Sequence, residues 1–508
     1  MKNFLKNAFQ KPWYPLLLSA YPVLALFGNN VNEARPDVIV RPLLVFLAGA
    51  LVLILLFRLL LRDWHRAAFA SCMWIILFAT YGHLINYLID KEIDIPSHYI
   101  LSLWLVLAEF FLWLASRLRI KFFQATVSLN LIAAFLLVYP LYQITSYSVG
   151  NNLSAWQVHA ASVAQQPDPA TLDRLPDIYY IILDSYGRAD LLQQAYQYDN
   201  TAFVSKLEEM GFYVANCSQS NYMRTDIALT STLNMDYLQN LSDKFKPDTY
   251  NRTRLFELLK HSSLRKTLEG VGYETIAYAT GFFWSELDDA DVFLAPSPIW
   301  TDLTEFEKLL LNSTLARLLD EAGKINTYQI SSNHYRERTS FVLDSIPKLV
   351  KLPGPKFVFM HIISPHPPFV FGPDGQPTDA ETFLNADKKL PAKMYAIGYT
   401  NQVTYLNTRM EQVLDMLIHA SDTPPVIILQ GDHGPWMQPE NKRLWILNAY
   451  YLPGHNNELY PTISPVNSFR IVLNDYLGTN YALLEDKSYF SPIPYIYDFK
   501  PNSNPCIP

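Results

Sequence analysis

Five long apolar runs fill the first 146 residues of this 508-residue chain, and they constrain its fold more than any other feature. They lie at Trp13–Phe27, Pro42–Leu61, Ala67–Ile89, Ile95–Ala115 and Phe122–Ser146. The last four approach or exceed the roughly 20 residues a helix needs to cross a bilayer core. The first is shorter and holds Pro15 and Pro22; Asn29, Asn30 and Asn32 follow it in place of a small-residue cleavage site, so it does not read as a signal peptide.

Charge orients the runs. Lys2, Lys6 and Lys11 precede the first; Arg58, Arg62 and Arg66 separate the second from the third; Arg117, Arg119 and Lys121 separate the fourth from the fifth. The alternate loops carry only Arg35, Arg41 and Lys91 among their acidic residues. By the positive-inside rule the N-terminus is cytoplasmic. Five crossings then place everything after Ser146 in the periplasm or outside the cell, and make this a multi-pass cell (inner) membrane protein. Glu109 falls inside the fourth run, where a carboxylate raises a functional question that pattern alone leaves open.

The remainder differs in kind. Residues 1–146 hold 12 Lys/Arg and 7 Asp/Glu; subtracting these from the chain totals of 40 and 47 leaves 28 and 40, a net charge of −12. An acidic chain excludes a nucleic-acid partner bound through bulk basic charge. Residues 147–176 are polar and read as a linker. From residue 177 to 508, β-rich runs such as Asp177–Leu183, Tyr273–Ala279, Lys356–Ile363, Pro425–Gln430 and Ile446–Leu452 alternate with helical patterns. That alternation predicts an α/β domain with a central, mainly parallel sheet.

In such sheets, sites form beyond the carboxyl ends of the strands. One predicted strand ends at Asp184 in LDSYGRAD, another leads to His366 in HIISPHPPF, and a third to Asp432 and His433 in LQGDHGP. Carboxylates with an imidazole suit a divalent cation. The flanking glycines of GDHG suggest a sharp backbone turn. A hydroxyl nucleophile is available in SNYMRTDIALTSTLN, where Thr225 precedes a helical pattern and Ser231 is an alternative.

Together, GDHG after an apolar strand, an acidic residue closing the first strand and a Thr some forty residues later resemble the sulfatase-like branch of the alkaline phosphatase superfamily. The order of motifs and the five-run N-terminus are most similar to its membrane-anchored members, the lipoteichoic acid synthases and lipid A phosphoethanolamine transferases. The resemblance implies an α-helical membrane domain (five transmembrane helices, 1–146) followed by an alkaline phosphatase-like (sulfatase-like) α/β catalytic domain (177–508). It implies that Asp184, Thr225, Asp432 and His433 hold one divalent metal ion (Zn, Mn or Mg), with Thr225 as nucleophile. His366 would contact the phosphoryl oxygens or assist the leaving group, and Arg188 would lie near the substrate. The implied activity is transfer of a phospholipid head group, of phosphoethanolamine or phosphoglycerol type, to an envelope glycan or lipid acceptor. A membrane-bound sulfatase or phosphodiesterase and a non-catalytic envelope sensor are the alternatives. The C/S-x-P-x-R motif of sulfatases proper is absent, and Asp184 stands where the transferases have Glu. Cys217 and Cys506 both face an oxidising compartment in this topology, which leaves a disulfide between them open.

Overall fold

The computed structural model describes the chain apart from residues 1–9, 32, 92, 94, 118–121, 158–174, 250, 298–302, 385–389, 440, 456–457, 493–494 and 507–508. It forms two compact units: Met1–Gly150 with Ile299–Ile330, and Asn151–Pro298 with Ser331–Pro508. The expected division kept 177–508 whole, whereas the segment around 299–330 packs with the N-terminal helices. Most of the expected linker, and Lys2, Lys6, Arg119 and Lys121 of the charge pattern, lie outside the described residues.

The first unit contains α1 (Tyr14–Asn29), α2 (Val40–Leu61), α3 (Trp64–Asp90), α4 (Ser97–Arg117) and α5 (Phe122–Gln157). Pro36–Leu61, Trp64–Asp90, Ser97–Arg117 and Ala125–Tyr147 are long and apolar enough to cross a membrane, with mean hydropathy from 1.6 to 2.9. Leu51, Val52, Leu55, Leu56, Leu59 and Leu60 of α2 are exposed. An apolar outer surface of this kind suits acyl chains, and these helices anchor the chain in a membrane. Helix α1 is shorter, at 16 residues or about 24 Å. Its first backbone N–H donates to the side chain of Asn130 on α5, at 2.8 Å. Small residues let the helices approach closely: Ala67, Ala68, Ala70 and Ser71 of α3 are all buried. Glu109 lies on the exposed side of α4.

The 299–330 segment carries α6 (Glu305–Ser313), started by a capping box between Thr304 and Glu307. Glu307 also pairs with Arg41. Phe306 and Leu310 pack with Val23 and Phe27, and the Leu315 N–H donates to the Phe78 carbonyl at 2.8 Å. The contacts fall on the end of α1, the start of α2 and the second half of α3.

In the second unit a seven-stranded sheet is built from β1 (Ile178–Leu183), β2 (Tyr213–Val214), β3 (Glu274–Tyr278), β4 (Val292–Leu294), β5 (Lys356–Ile362), β6 (Val426–Gln430) and β7 (Asn448–Tyr451). Its order is β2-β7-β6-β1-β5-β3-β4. The strands from β6 to β4 are parallel; β7 and β2 form an antiparallel edge. Strand β1 is buried on both faces, as its unbroken apolar run requires. Tyr179, Ile181 and Leu183 face α8 (Thr327–Leu349) and α9 (Ala392–Ala420). Ile178, Tyr180 and Ile182 face α7 (Thr225–Asn234) and α10 (Pro465–Leu477). Cys217 and Cys506 form a disulfide with Cα atoms 5.5 Å apart.

Gly82 gives a direct test of the packing in the first unit. A Cβ there would lie 2.3 Å from the Asn312 carbonyl oxygen, whereas one at Gly49 would meet nothing within 4 Å. Gly82→Ala is expected to cost about 1–3 kcal/mol and to lower the thermal unfolding midpoint in detergent. Gly49→Ala, measured alongside, leaves the midpoint unchanged or slightly raised.

Candidate active site

Parallel pairing brings the carboxyl ends of β1, β5 and β6 side by side, so residues 184, 361–366 and 432–433 meet although they are far apart in sequence. Asp184, Asp432 and His433 are all buried, and one ligand atom from each lies within 4.8 Å of the others. His433 Nδ1 lies 2.8 Å from the Gly434 carbonyl. A carbonyl only accepts, so Nδ1 carries the proton, and the Nε2 lone pair faces inward. Nε2 lies 3.6 Å from Asp184 Oδ1 and 3.5 Å from Asp432 Oδ2.

Those two carboxylate oxygens are buried and have no hydrogen-bond partner among the described residues. Their companions do: Asp432 Oδ1 accepts from the Ser185 N–H at 2.9 Å, and Asp184 Oδ2 lies 3.2 Å from His361 Nε2. At such separations two anionic charges repel by about 3–4 kcal/mol for an effective dielectric near 20. A divalent cation answers both the repulsion and the orphaned oxygens, so the donor set fits a metal such as zinc or manganese.

Thr225 opens α7, with Oγ1 3.2 Å from His433 Nε2. Its hydroxyl can donate to that nitrogen, and it sits at the electropositive end of a ten-residue helix. His366 is half-buried, its ring centre 6.3 Å from that of His433. Its Nδ1 donates to the Pro367 carbonyl at 2.6 Å, leaving Nε2 available. Burial works to raise the Asp184 carboxyl, but the charge of His366 and the N–H of His361 outweigh it and hold the group well below the usual carboxylate range.

Two expected residues have other partners. Arg188 is buried, forms a two-pronged contact with Asp190, donates to the Ser218 carbonyl and stacks 4.5 Å from the Trp445 ring. These contacts bind the β1 end to the Cys217 segment. Ser231 is buried within α7 and donates to the Asp236 carbonyl, so it is committed elsewhere. The glycines of GDHG act by close approach and not through a left-handed turn: neither has a positive φ. A Cβ on Gly431 would sit 2.3 Å from the Tyr186 carbonyl oxygen, and one on Gly434 would sit 3.1 Å from that of Trp445. The left-handed residue is Ser185, at φ 68°. His361 was missed from sequence; a lone imidazole in the otherwise apolar run KFVFMHII was its signal.

The family model described as Sulfatase matches residues 176–464, more than half of the chain. No curated protein matches the sequence. Among solved structures, the C-terminal periplasmic domain of EcEptC from Escherichia coli, in complex with Zn, is similar at 14% identity, covering 61% of this chain and 84% of that one, with a TM-score of 0.38. The integral membrane lipooligosaccharide phosphoethanolamine transferase A of Neisseria meningitidis is similar at 14% identity over 87% of this chain and 88% of that one, with a TM-score of 0.35. The phosphonate monoester hydrolase of Agrobacterium radiobacter is similar at 14% identity over 62% and 80%, with a TM-score of 0.39.

Repulsion between the two carboxylates has opposite consequences with and without metal. Asp432→Asn keeps an acceptor for Ser185 but removes one anionic charge. The metal-free variant should unfold at a higher temperature than the metal-free wild type, by the equivalent of about 1–3 kcal/mol. The further rise that zinc or manganese produces in the wild type should disappear. Thermal unfolding of both proteins, with chelator and with metal, reads both effects.

Proposed function

This chain belongs to the sulfatase family, and from that premise we propose that it transfers a phospholipid head group to a cell-envelope glycan or lipid through a phospho-threonine on Thr225. It is a sulfatase-like enzyme of the alkaline phosphatase superfamily, membrane-anchored, with a divalent metal as cofactor. The observation that carries the reading is the Thr225 hydroxyl set against His433 Nε2, at the N-terminus of α7, beside two carboxylates with orphaned oxygens. A divalent metal bound there by Asp184, Asp432, His433 and Thr225 supplies charge neutralisation and Lewis acidity.

The residues of the chain account for the rest. Thr225 Oγ1, whose proton would pass to solvent when the metal binds, forms a bond to phosphorus as the bond to the diacylglycerol oxygen breaks, and it later leaves as the same deprotonated oxygen. His366, with Nε2 available, is suited to protonate that departing alkoxide. In the second half the acceptor oxygen bonds to phosphorus, the Thr225 oxygen leaves, and the acceptor's proton returns through His366. Two displacements give retention at phosphorus and ping-pong kinetics. The N-terminus of α7 favours the anionic group throughout. Anchoring favours transfer over hydrolysis of soluble esters, because it holds the nucleophile near a lipid donor at the outer leaflet. With water as acceptor, the same residues give a phosphodiesterase. The absence of a C/S-x-P-x-R motif disfavours sulfate esters.

The test uses the detergent-solubilised full chain, because residues 299–330 pack with the membrane helices. An aryl phosphodiester and an aryl sulfate are offered side by side with zinc, manganese or magnesium. Metal-dependent cleavage of the phosphodiester is expected, with Thr225→Ala slower by a factor on the order of 10³ or more. Preferred cleavage of the sulfate, or activity that survives Thr225→Ala, would overturn the reading.

A further inference from the structure

We infer that His361 is a positioning residue for the metal centre, holding the Asp184 carboxylate in its ligating orientation from behind. The inference rests on the metal-centre reading above.

His361 lies near the end of β5, directly across from Ile182 of β1, and is 1% exposed. An imidazole in that place is costly to bury unless both nitrogens are satisfied. Nε2 lies 3.2 Å from Asp184 Oδ2. An ionised carboxylate only accepts, so Nε2 carries the proton and Nδ1 is left as an acceptor. The Asp184 side chain is short. Its backbone is fixed by a 2.9 Å bond from its N–H to the Ile362 carbonyl and by a 3.0 Å bond from the His366 N–H to its own carbonyl. What remains free is rotation of the carboxylate. The His361 N–H takes one oxygen, and the other, Oδ1, is thereby turned towards His433 Nε2 and the orphaned oxygen of Asp432.

The far side of the ring fits the same role. Nδ1 is buried with no hydrogen-bond partner among the described residues. His361 also borders a cavity of about 10 Å³, lined by Thr280, Tyr335, Arg338 and Thr339 among others. That is about the room one water needs, and the lining is polar enough to hold it. A water held there would donate to Nδ1 and favour the tautomer that the Asp184 contact requires. The His361–Asp184 contact resembles the carboxylate–histidine pairs that orient metal ligands, but with the order reversed: here the imidazole orients the carboxylate.

The test is zinc affinity of the detergent-solubilised full chain, measured by competition with a chromophoric chelator, with the metal-free unfolding temperature as a control. His361→Ala should weaken zinc binding by about 10–100-fold. His361→Gln can place an amide N–H near the position of Nε2 and should recover most of that loss; His361→Asn is too short and should not. The Gln–Asn comparison decides the matter even if the Ala variant fails to fold. Equal affinities for the Gln and Asn variants, or wild-type affinity in His361→Ala, would overturn the positioning role alone. A wild-type chain that binds no zinc would overturn the metal-centre reading and this inference with it.

Discussion

Two carboxylate oxygens and an imidazole lone pair converge on one buried point, and much of the catalytic unit is arranged to keep them there. Each group by itself would be free to turn away. They stay because their other atoms are engaged: His433 Nδ1 by Gly434, Asp432 Oδ1 by Ser185 and Asp184 Oδ2 by His361. Of the inward atoms, His433 Nε2 faces the Thr225 hydroxyl, and the two carboxylate oxygens have no hydrogen-bond partner among the described residues. This is a local sacrifice of stability for binding, of the kind expected where function and folding compete.

The backbone around the cluster has little freedom. Ser185 adopts a left-handed conformation one residue beyond Asp184, at a cost of about 1–2 kcal/mol. In that conformation its N–H meets Asp432. Gly431 lies against the Tyr186 carbonyl, so no side chain fits at that point of the β6 turn. The strained serine and the absent Cβ thus serve one contact between the ends of neighbouring strands. Sheet pairing brings the two ends together, and these local departures set the remaining distance.

The membrane unit obeys a different solvent. Its outward residues are apolar because lipid surrounds them, and its inward ones are small because helices associate there by close packing. Residues 299–330 join this unit through a salt bridge from Arg41 to Glu307, apolar contacts of Phe306 and Leu310 with Val23 and Phe27, and a backbone hydrogen bond to α3. An amphipathic segment with ordinary composition can pack against either unit, and its sequence carries no mark of the choice. That is why it read as part of the catalytic domain.

The sequence by itself determined the apolar spans to within a few residues, because hydropathy over some twenty residues is a local property that a bilayer reads directly. It also determined the central strands, whose unbroken apolar runs suit only a sheet covered on both faces; it marked Asp184, His366, Asp432 and His433 by their place after those runs, and Thr225 by its place before a helical pattern. Only the tertiary structure decided the contacts that depend on distant partners. Arg188 is engaged with Asp190 and Trp445, Cys217 is bonded to Cys506, and the glycines of GDHG are required by carbonyls from other loops. His361 shows the difference most plainly. In sequence it is one polar letter in an apolar strand, and its role exists only because β1 lies beside β5 and sets a carboxylate against its ring.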